Sequence, residues 1–227
     1  DSAAGTITDG EQVVMVSKSG NNLTVGIVDT HRADGVLDLS KPVASGETIT
    51  TIPDGWSGNT GVRPWLKGLI LPETITYIGG SAFHSCSLLE HITPFVPHAV
   101  TTFGGAAVEY CYVLEDDLEI GFATNALGET IPTTIGDGWG LYQTYKVFSA
   151  KFGPGVSSIP ANFFPYSNLK NVDFGCNLTT LNREVPYDAN RGMLTNAVIR
   201  CTNTVTFAAN VFKNQTKLKE ITWYGWY

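Results

Sequence analysis

Between Leu66 and Val113 the chain writes one pattern of apolar landmarks twice. The first copy runs Leu66-Lys67-Gly68-Leu69-Ile70-Leu71-Pro72-Glu73-Thr74-Ile75-Thr76-Tyr77-Ile78-Gly79-Gly80-Ser81-Ala82-Phe83-His84-Ser85-Cys86-Ser87-Leu88. The second begins at Leu89 and sets Ile92, Phe103-Gly104-Gly105, Ala107-Val108 and Cys111 at matching places. Cys86 and Cys111 lie 25 residues apart, each eight past its copy's anchor, Ile78 or Phe103. A repeat constrains the fold more than any local propensity does. A period of roughly 20–50 residues is the signature of units stacked along an axis.

Looser copies continue in both directions. Leu114 opens one containing Ile135-Gly136 and Trp139. Tyr145 opens another, with Val156, Ile159-Pro160 and Asn162-Phe163. Leu169 begins a third with Val172, Phe174 and Leu181, and Ala197 a fourth with Phe207 and Val211-Phe212. Leu218 begins a last one that stops at its first strand. Upstream, Val36-Leu37-Asp38-Leu39, Ile49–Ile52 and Gly55-Trp56 read as a degenerate first copy. The openings at 66, 89, 114, 145, 169, 197 and 218 are spaced by 23, 25, 31, 24, 28 and 21 residues. A stacked coil tolerates such variation because insertions leave the stack as surface loops.

Each copy has a physical reading. Its opening Leu-x-x-Leu-x-Leu alternates at the end, which predicts a short strand with Leu69 and Leu71 inward. Pro72, lacking an N–H, ends the ladder. Ile75 and Ile78 with the following glycines predict a second extended piece and a tight turn, and Ala82-Phe83 return to the interior on a helical or 3₁₀ turn. One such unit cannot bury its apolar side alone, but stacked neighbours can. The first 35 residues differ. Glu11–Val16 and Leu23–Val28 are strand-like and the segment between them is turn-rich, which predicts a β-hairpin capping the open end of the stack.

The run Leu69-x-Leu-Pro-x-Thr-Ile-Thr-x-Ile-Gly-Gly-Ser-Ala-Phe-His-Ser-Cys-Ser-Leu88 resembles the repeat of BspA-like leucine-rich-repeat proteins. Leu89–Val113 matches fairly, and the other copies match at the apolar landmarks. The expectation is a right-handed, β-rich (α/β-type) leucine-rich-repeat solenoid of about seven rungs over residues 36–227, with a hairpin cap over 1–35. The resemblance implies an exported bacterial surface protein that adheres to host proteins or to other cells. It carries over no binding residue, since the motif specifies a scaffold.

Composition narrows the partners. Only 15% of residues are charged, below the usual ~25%; Thr, Asn and Ser supply solubility instead, as in many β-rich extracellular proteins. The net charge is −7, with 14 basic residues scattered among 21 acidic ones. A nucleic-acid or anionic-membrane binder needs its cations gathered on one face, so both are set aside. No apolar run approaches the ~20 residues of a membrane span. The expected location is extracellular or at the cell surface, in a mature form whose export signal has been removed.

Catalytic and metal motifs are absent from the sequence. There is no G-x-S-x-G elbow, H-E-x-x-H pair, phosphate loop or dinucleotide fingerprint, and no C-x₂-C spacing for zinc. Neither catalysis nor a cofactor is expected. His84, His91 and His98 recur at sevens, but in strand and turn they need not converge. Asp116-Asp117-x-Glu119 reads as a solvated strand face in preference to a calcium loop. Cys86 with Cys111, and Cys176 with Cys201, fall on adjacent rungs as disulfides or buried thiols. Thiols are favoured because adjacent-rung ladders rarely orient the Cβ vectors for bonding.

The candidate binding surface follows from alternation. Residues flanking the inward positions form columns across one face: His91 and Thr93, Asp117 and Glu119, Lys151, Asn171 and Asp173, Arg200, and Glu220. Such a mixed-polarity face suits a host or bacterial surface protein. The alternative is a polysaccharide held by loop aromatics around Trp56, Trp65, Trp139 and Tyr142. Most aromatics in such a coil are core, so one or two exposed anchors are expected.

Overall fold

The structure is a computed structural model describing residues 3–6, 12–15, 17–28, 33–41, 46–164, 166–175, 177–181, 193–201, 204–209 and 211–224. At the N-terminal end, β1 (Ala3–Thr6) pairs antiparallel with β2 (Gln12–Met15). β3 (Ser17–Ser19) and β4 (Asn22–Thr24) form a hairpin closed by Gly20 and Asn21. Gly20 has φ 58°, the left-handed conformation that a tight hairpin turn demands. The hairpin is therefore smaller than the apolar runs predicted, with its turn at 20–21. Glu11 and Val16, which the expected first strand included, lie outside the described residues, as do Cys176 and Trp226.

From Val36 each repeat supplies two short strands. The opening strands are β5 (Val36–Asp38), β7 (Gly68–Ile70), β9 (His91–Thr93), β11 (Leu118–Ile120), β13 (Ser149–Phe152), β15 (Asn171–Phe174), β17 (Asn196–Ile199) and β19 (Glu220–Trp223). The second strands are β6 (Thr48–Ile52), β8 (Tyr77–Ile78), β10 (Thr102–Phe103), β12 (Thr134–Ile135), β14 (Ser158–Ile159), β16 (Thr180–Leu181) and β18 (Thr206–Phe207). Strands of a kind pair in parallel with their counterparts one repeat on, except between β9 and β11 in the first row and between β12 and β14 in the second. The result is a solenoid of about seven turns with one short helix among the described residues, α1 (Trp56–Thr60). β4 also joins β6 in parallel, so the hairpin continues the second row of strands.

Alternation sorts the opening strands as expected. Leu69, Ile92, Leu118, Ala150, Val172 and Ala197 occupy one inward column, each at most 2% exposed. Their register corrects two of the repeat boundaries. The residues equivalent to Leu66 are Leu89, Leu114, Val147, Leu169, Leu194 and Leu218, not Tyr145 and Ala197. All intervals but one then fall between 22 and 25 residues. The long interval contains a surface excursion bridged at Thr124 and Thr130, with Leu127 83% exposed at its tip.

The first row of strands is interrupted once, between β9 and β11. Leu114 and Leu118 are four residues apart where Leu89 and Ile92 are three, so an extra residue breaks the ladder. Leu37 and Leu69, the counterparts of Ile92, lie within strands that pair with the next rung. The amide of Ile92 donates instead to the Asp116 carboxylate at 2.6 Å. A buried N–H left unpaired is costly, and this aspartate supplies the acceptor that the displaced strand does not.

The turns returning from each second strand are also hydrogen-bonded rung to rung: Ser57 N to Ala82 O, Phe83 N to Ala107 O, and Leu141 N to Phe163 O, all within 2.7–2.8 Å. The repeated Ile-Gly step has a steric cause. A Cβ on Gly104 would lie 2.2 Å from Gly80 N, and one on Gly136 would lie 2.4 Å from Gly105 N. Backbones stack there with no room for a side chain. Inside, Phe103, Phe152, Phe163, Phe164 and Phe174 form a continuous run of ring contacts, with Phe152 and Phe174 stacked at 13°.

Cys86 and Cys111 are buried free thiols on adjacent rungs, and Cys111 Sγ donates to Phe83 O. Their column continues as Thr144 and Ser167, whose hydroxyls donate to Leu141 O and Phe164 O. Cys201 is also buried. At the far end the inward columns of the strands change character: Ile221, in register with Ala197, is 50% exposed, and Phe207, in register with Leu181, is 44% exposed.

Candidate functional site

The interruption after β9 divides the predicted strand face. His91 and Thr93 lie before it, where His91 Nδ1 meets Asp116 (3.2 Å) and Nε2 meets Glu115 (3.6 Å). Asp117, Glu119, Lys151, Asn171 and Asp173 lie after it and are brought together. With Ser149, Asn196 and Val198 they line a shallow depression of about 260 Å³. Two columns cross it. Ser149, Asn171, Asn196 and Glu220 form one, in which Asn196 Nδ2 donates to Asn171 Oδ1 at 2.8 Å. Glu119, Lys151, Asp173, Val198 and Thr222 form the other, with Lys151 Nζ 3.6 Å from Glu119 Oε1.

Arg200 does not continue the column as the sequence suggested. The outward ladder positions of its rung are Asn196 and Val198, two residues earlier than Val198 and Arg200. Arg200 follows β17 and reaches back to Asp173, with Nε 2.9 Å from each carboxylate oxygen. Glu220 sits on the last strand, outside the depression, and accepts from Thr222 Oγ1 at 2.7 Å. Asn196 was missed because the outward positions of this rung lie two residues earlier than the sequence suggested; the alternation itself holds, with Ala197 and Ile199 both inward.

The predicted aromatic anchors separate sharply. Trp56 is 1% exposed, its indole N–H donates to Gly26 O at 2.9 Å, and its ring meets Phe83 edge to face. It is a core residue and offers no face to a ligand; it opens the short helix α1, flanked by Gly55 and Gly61 at positive φ. Trp65 is half-buried against the core. Trp139 is 44% exposed and lies 4.5 Å from Tyr142. Those two belong to a larger group with Tyr110, Tyr112, Tyr145 and Tyr166, which the sequence reading did not single out.

Comparison with known proteins decides the family. The model of the BspA type leucine rich repeat region matches residues 64–129 and 133–225, in six copies. The chain belongs to the BspA-type leucine-rich-repeat family. No curated protein matches it in sequence. Among solved structures, a leucine rich cell surface protein from Faecalibacterium prausnitzii gives a TM-score of 0.66 at 20% identity, covering 98% of this chain and 55% of that one. A leucine rich repeat protein of T. pallidum gives 0.65 at 16% identity, covering 96% and 88%. The chain thus spans about half the length of the first protein, and the likeness to both is one of fold.

One polar cluster in this BspA-type coil has the outline of a catalytic triad. Ser85 Oγ lies 2.8 Å from His84 Nδ1, and His84 Nε2 lies 3.6 Å from Glu109 Oε2. Burial, then the nearby Arg63 guanidinium, lowers the His84 pKa, and burial raises that of Glu109. Acyl transfer also needs N–H donors for the developing oxyanion. The amides of Ser85, Cys86 and Ser87 are committed to Glu109 O, Phe83 O and Ser85 O. The cluster instead ties rungs together: Arg63 Nε donates to His84 O at 2.8 Å, and Ser57 Oγ to the same carbonyl at 3.1 Å. Among the described residues, no helix is long and apolar enough to cross a membrane.

Proposed function

We propose that the chain is a non-catalytic recognition module at the bacterial cell surface, mediating adhesion by holding a protein partner on the outward side of its opening strands. The observation that carries this reading is the depression after the sheet interruption. Asp117, Glu119, Lys151, Asn171 and Asp173 come from three consecutive rungs held in parallel register. Side chains on a hydrogen-bonded ladder are positioned before a partner arrives, which lowers the ordering cost of association. The mixed signs, with acids at Glu119 and Asp173 flanking Lys151, favour a partner whose own surface alternates in charge. The family assignment and the named surface location of the Faecalibacterium relative support the cellular setting.

The test is a binding screen of the purified chain against immobilised extracellular-matrix and cell-surface proteins, read by interferometry. Saturable binding weakened tenfold or more by Asp173→Lys and Glu119→Lys, with both variants still folded at the assay temperature, is expected. Binding indifferent to both charge reversals would sink the strand-face assignment.

A further inference from the structure

We propose a second binding site, separate from the strand face, for a neutral polysaccharide chain lying along the returning turns across Tyr110, Tyr112, Trp139, Tyr142, Tyr145 and Tyr166. The rung alignment brings these residues together. Phe83, Val108, Leu141 and Phe164 form one buried column of the turns. Two positions beyond it stand Ser85, Tyr110, Gln143 and Tyr166; four positions beyond it stand Ser87, Tyr112, Tyr145 and Asn168. Tyr112 and Tyr145 stack at 5.8 Å and 17°. Tyr142 lies between Tyr110 and Tyr166, at 5.2 and 5.3 Å, and 4.5 Å from Trp139. The rings make one continuous strip over three rungs.

Packing does not call for them. The same columns hold Ser85, Ser87, Gln143 and Asn168 on neighbouring turns, while Trp139, Tyr112 and Tyr166 are 44%, 39% and 36% exposed. Tyr110 and Tyr166 also stand at φ 62° and 57°. A residue other than glycine adopts that left-handed conformation against a steric cost. Ser85 and Gln143 of the same column share that conformation, at φ 62° and 56°, so the turn is set by the fold and does not call for a ring.

The chemistry of the strip specifies its ligand. Ring faces stack on the flat C–H faces of pyranose units, while the tyrosine hydroxyls and the indole N–H at the rims meet sugar hydroxyls. The columns carry no cation, and nearby Lys146 is paired with Glu115 at 3.3 Å. With Glu109 next to Tyr110 and the exposed Asp137 two residues before Trp139 in the chain, an acidic polysaccharide is disfavoured. Tyr112 and Tyr145 are equivalent rings on adjacent rungs, so successive units of an extended glycan meet like partners there. A β-linked glucan has this shape.

The experiment is native affinity electrophoresis of the whole chain in gels containing soluble β-glucan, with alginate as the acidic comparison and cellohexaose titrated calorimetrically. Retardation by β-glucan is expected, cut at least tenfold by Trp139→Ala and by Tyr166→Asn and unaffected by Asp173→Lys. Asn tolerates the left-handed turn, so Tyr166→Asn removes the ring while keeping the backbone, and unchanged melting confirms the fold. The proposal is overturned by no retardation in β-glucan, by retardation in alginate alone, or by retardation that both ring variants leave intact. It is equally overturned if these variants weaken a protein partner while β-glucan does not bind.

Discussion

Arg200 Nε lies 2.9 Å from both carboxylate oxygens of Asp173 on the preceding rung, with its guanidinium 4.9 Å over the Tyr224 ring. The Asp173 bond raises the Arg200 pKa further. The pair is largely solvated, so the geometry is informative mainly about placement. Asp173→Asn and Arg200→Gln are each expected to cost about 1 kcal/mol or less in urea unfolding, with a coupling in the double variant of similar size. A coupling well above that would mean the pair organises the end of the stack.

Core positions behave differently. Phe83 is 1% exposed and packs on Trp56. Phe83→Ala is expected to cost roughly 3–5 kcal/mol, and Trp56→Phe about 1–3 kcal/mol, because Gly26 O loses its donor. Chemical unfolding of both variants checks this. A loss near zero for Phe83→Ala would contradict its inward position.

The Ile-Gly step offers a sterically defined case. Gly104→Ala would press a methyl into the Gly80 backbone, and backbone cannot swing aside as a side chain can. A loss of about 1–3 kcal/mol or more is expected, read as a lower urea midpoint. An unchanged midpoint would mean that the rungs have slack at that corner.

The buried thiols make stability depend on alkaline pH. Burial pushes Cys86 up to about 11 from 9.0, and Cys111 also rises, by burial first and then by the neighbouring Cys86. Below pH 9 both thiols are protonated in either state and contribute no slope. Above it the unfolded chain loses protons that the folded chain retains, so stability falls as pH climbs from about 9 toward 11. The Cys86→Ala, Cys111→Ala double variant should flatten that decline relative to the parent, as measured by urea midpoints from pH 7 to 10.5.

The inward skeleton was legible in the sequence because side-chain period and repeat period coincide there. Leu69, Leu71, Ile75, Ile78, Ala82 and Phe83 are all buried as their spacing implied. The register of later rungs was less readable. Val147 and Leu194 are weaker landmarks than Leu66, and Tyr145 and Ala197 beside them are as apolar. The extra residue at Asp116-Asp117 shows itself only when Ile92 N is seen to need an acceptor. The aromatic strip was nearly invisible. Its members stand at irregular distances along the chain and become neighbours only once a surface excursion has been removed from the count. Trp56 misled for the opposite reason: read as a loop aromatic, it is buried, with its indole N–H satisfied by a single carbonyl, Gly26 O.

The alternation along each opening strand has an evolutionary consequence. Inward and outward columns share a backbone but almost no neighbours, so a change at Lys151 or Asn171 leaves Ala150 and Val172 in place. Recognition can drift one square at a time while the scaffold beneath it is inherited unchanged. Lineages built on such a coil can diversify their targets faster than their architecture.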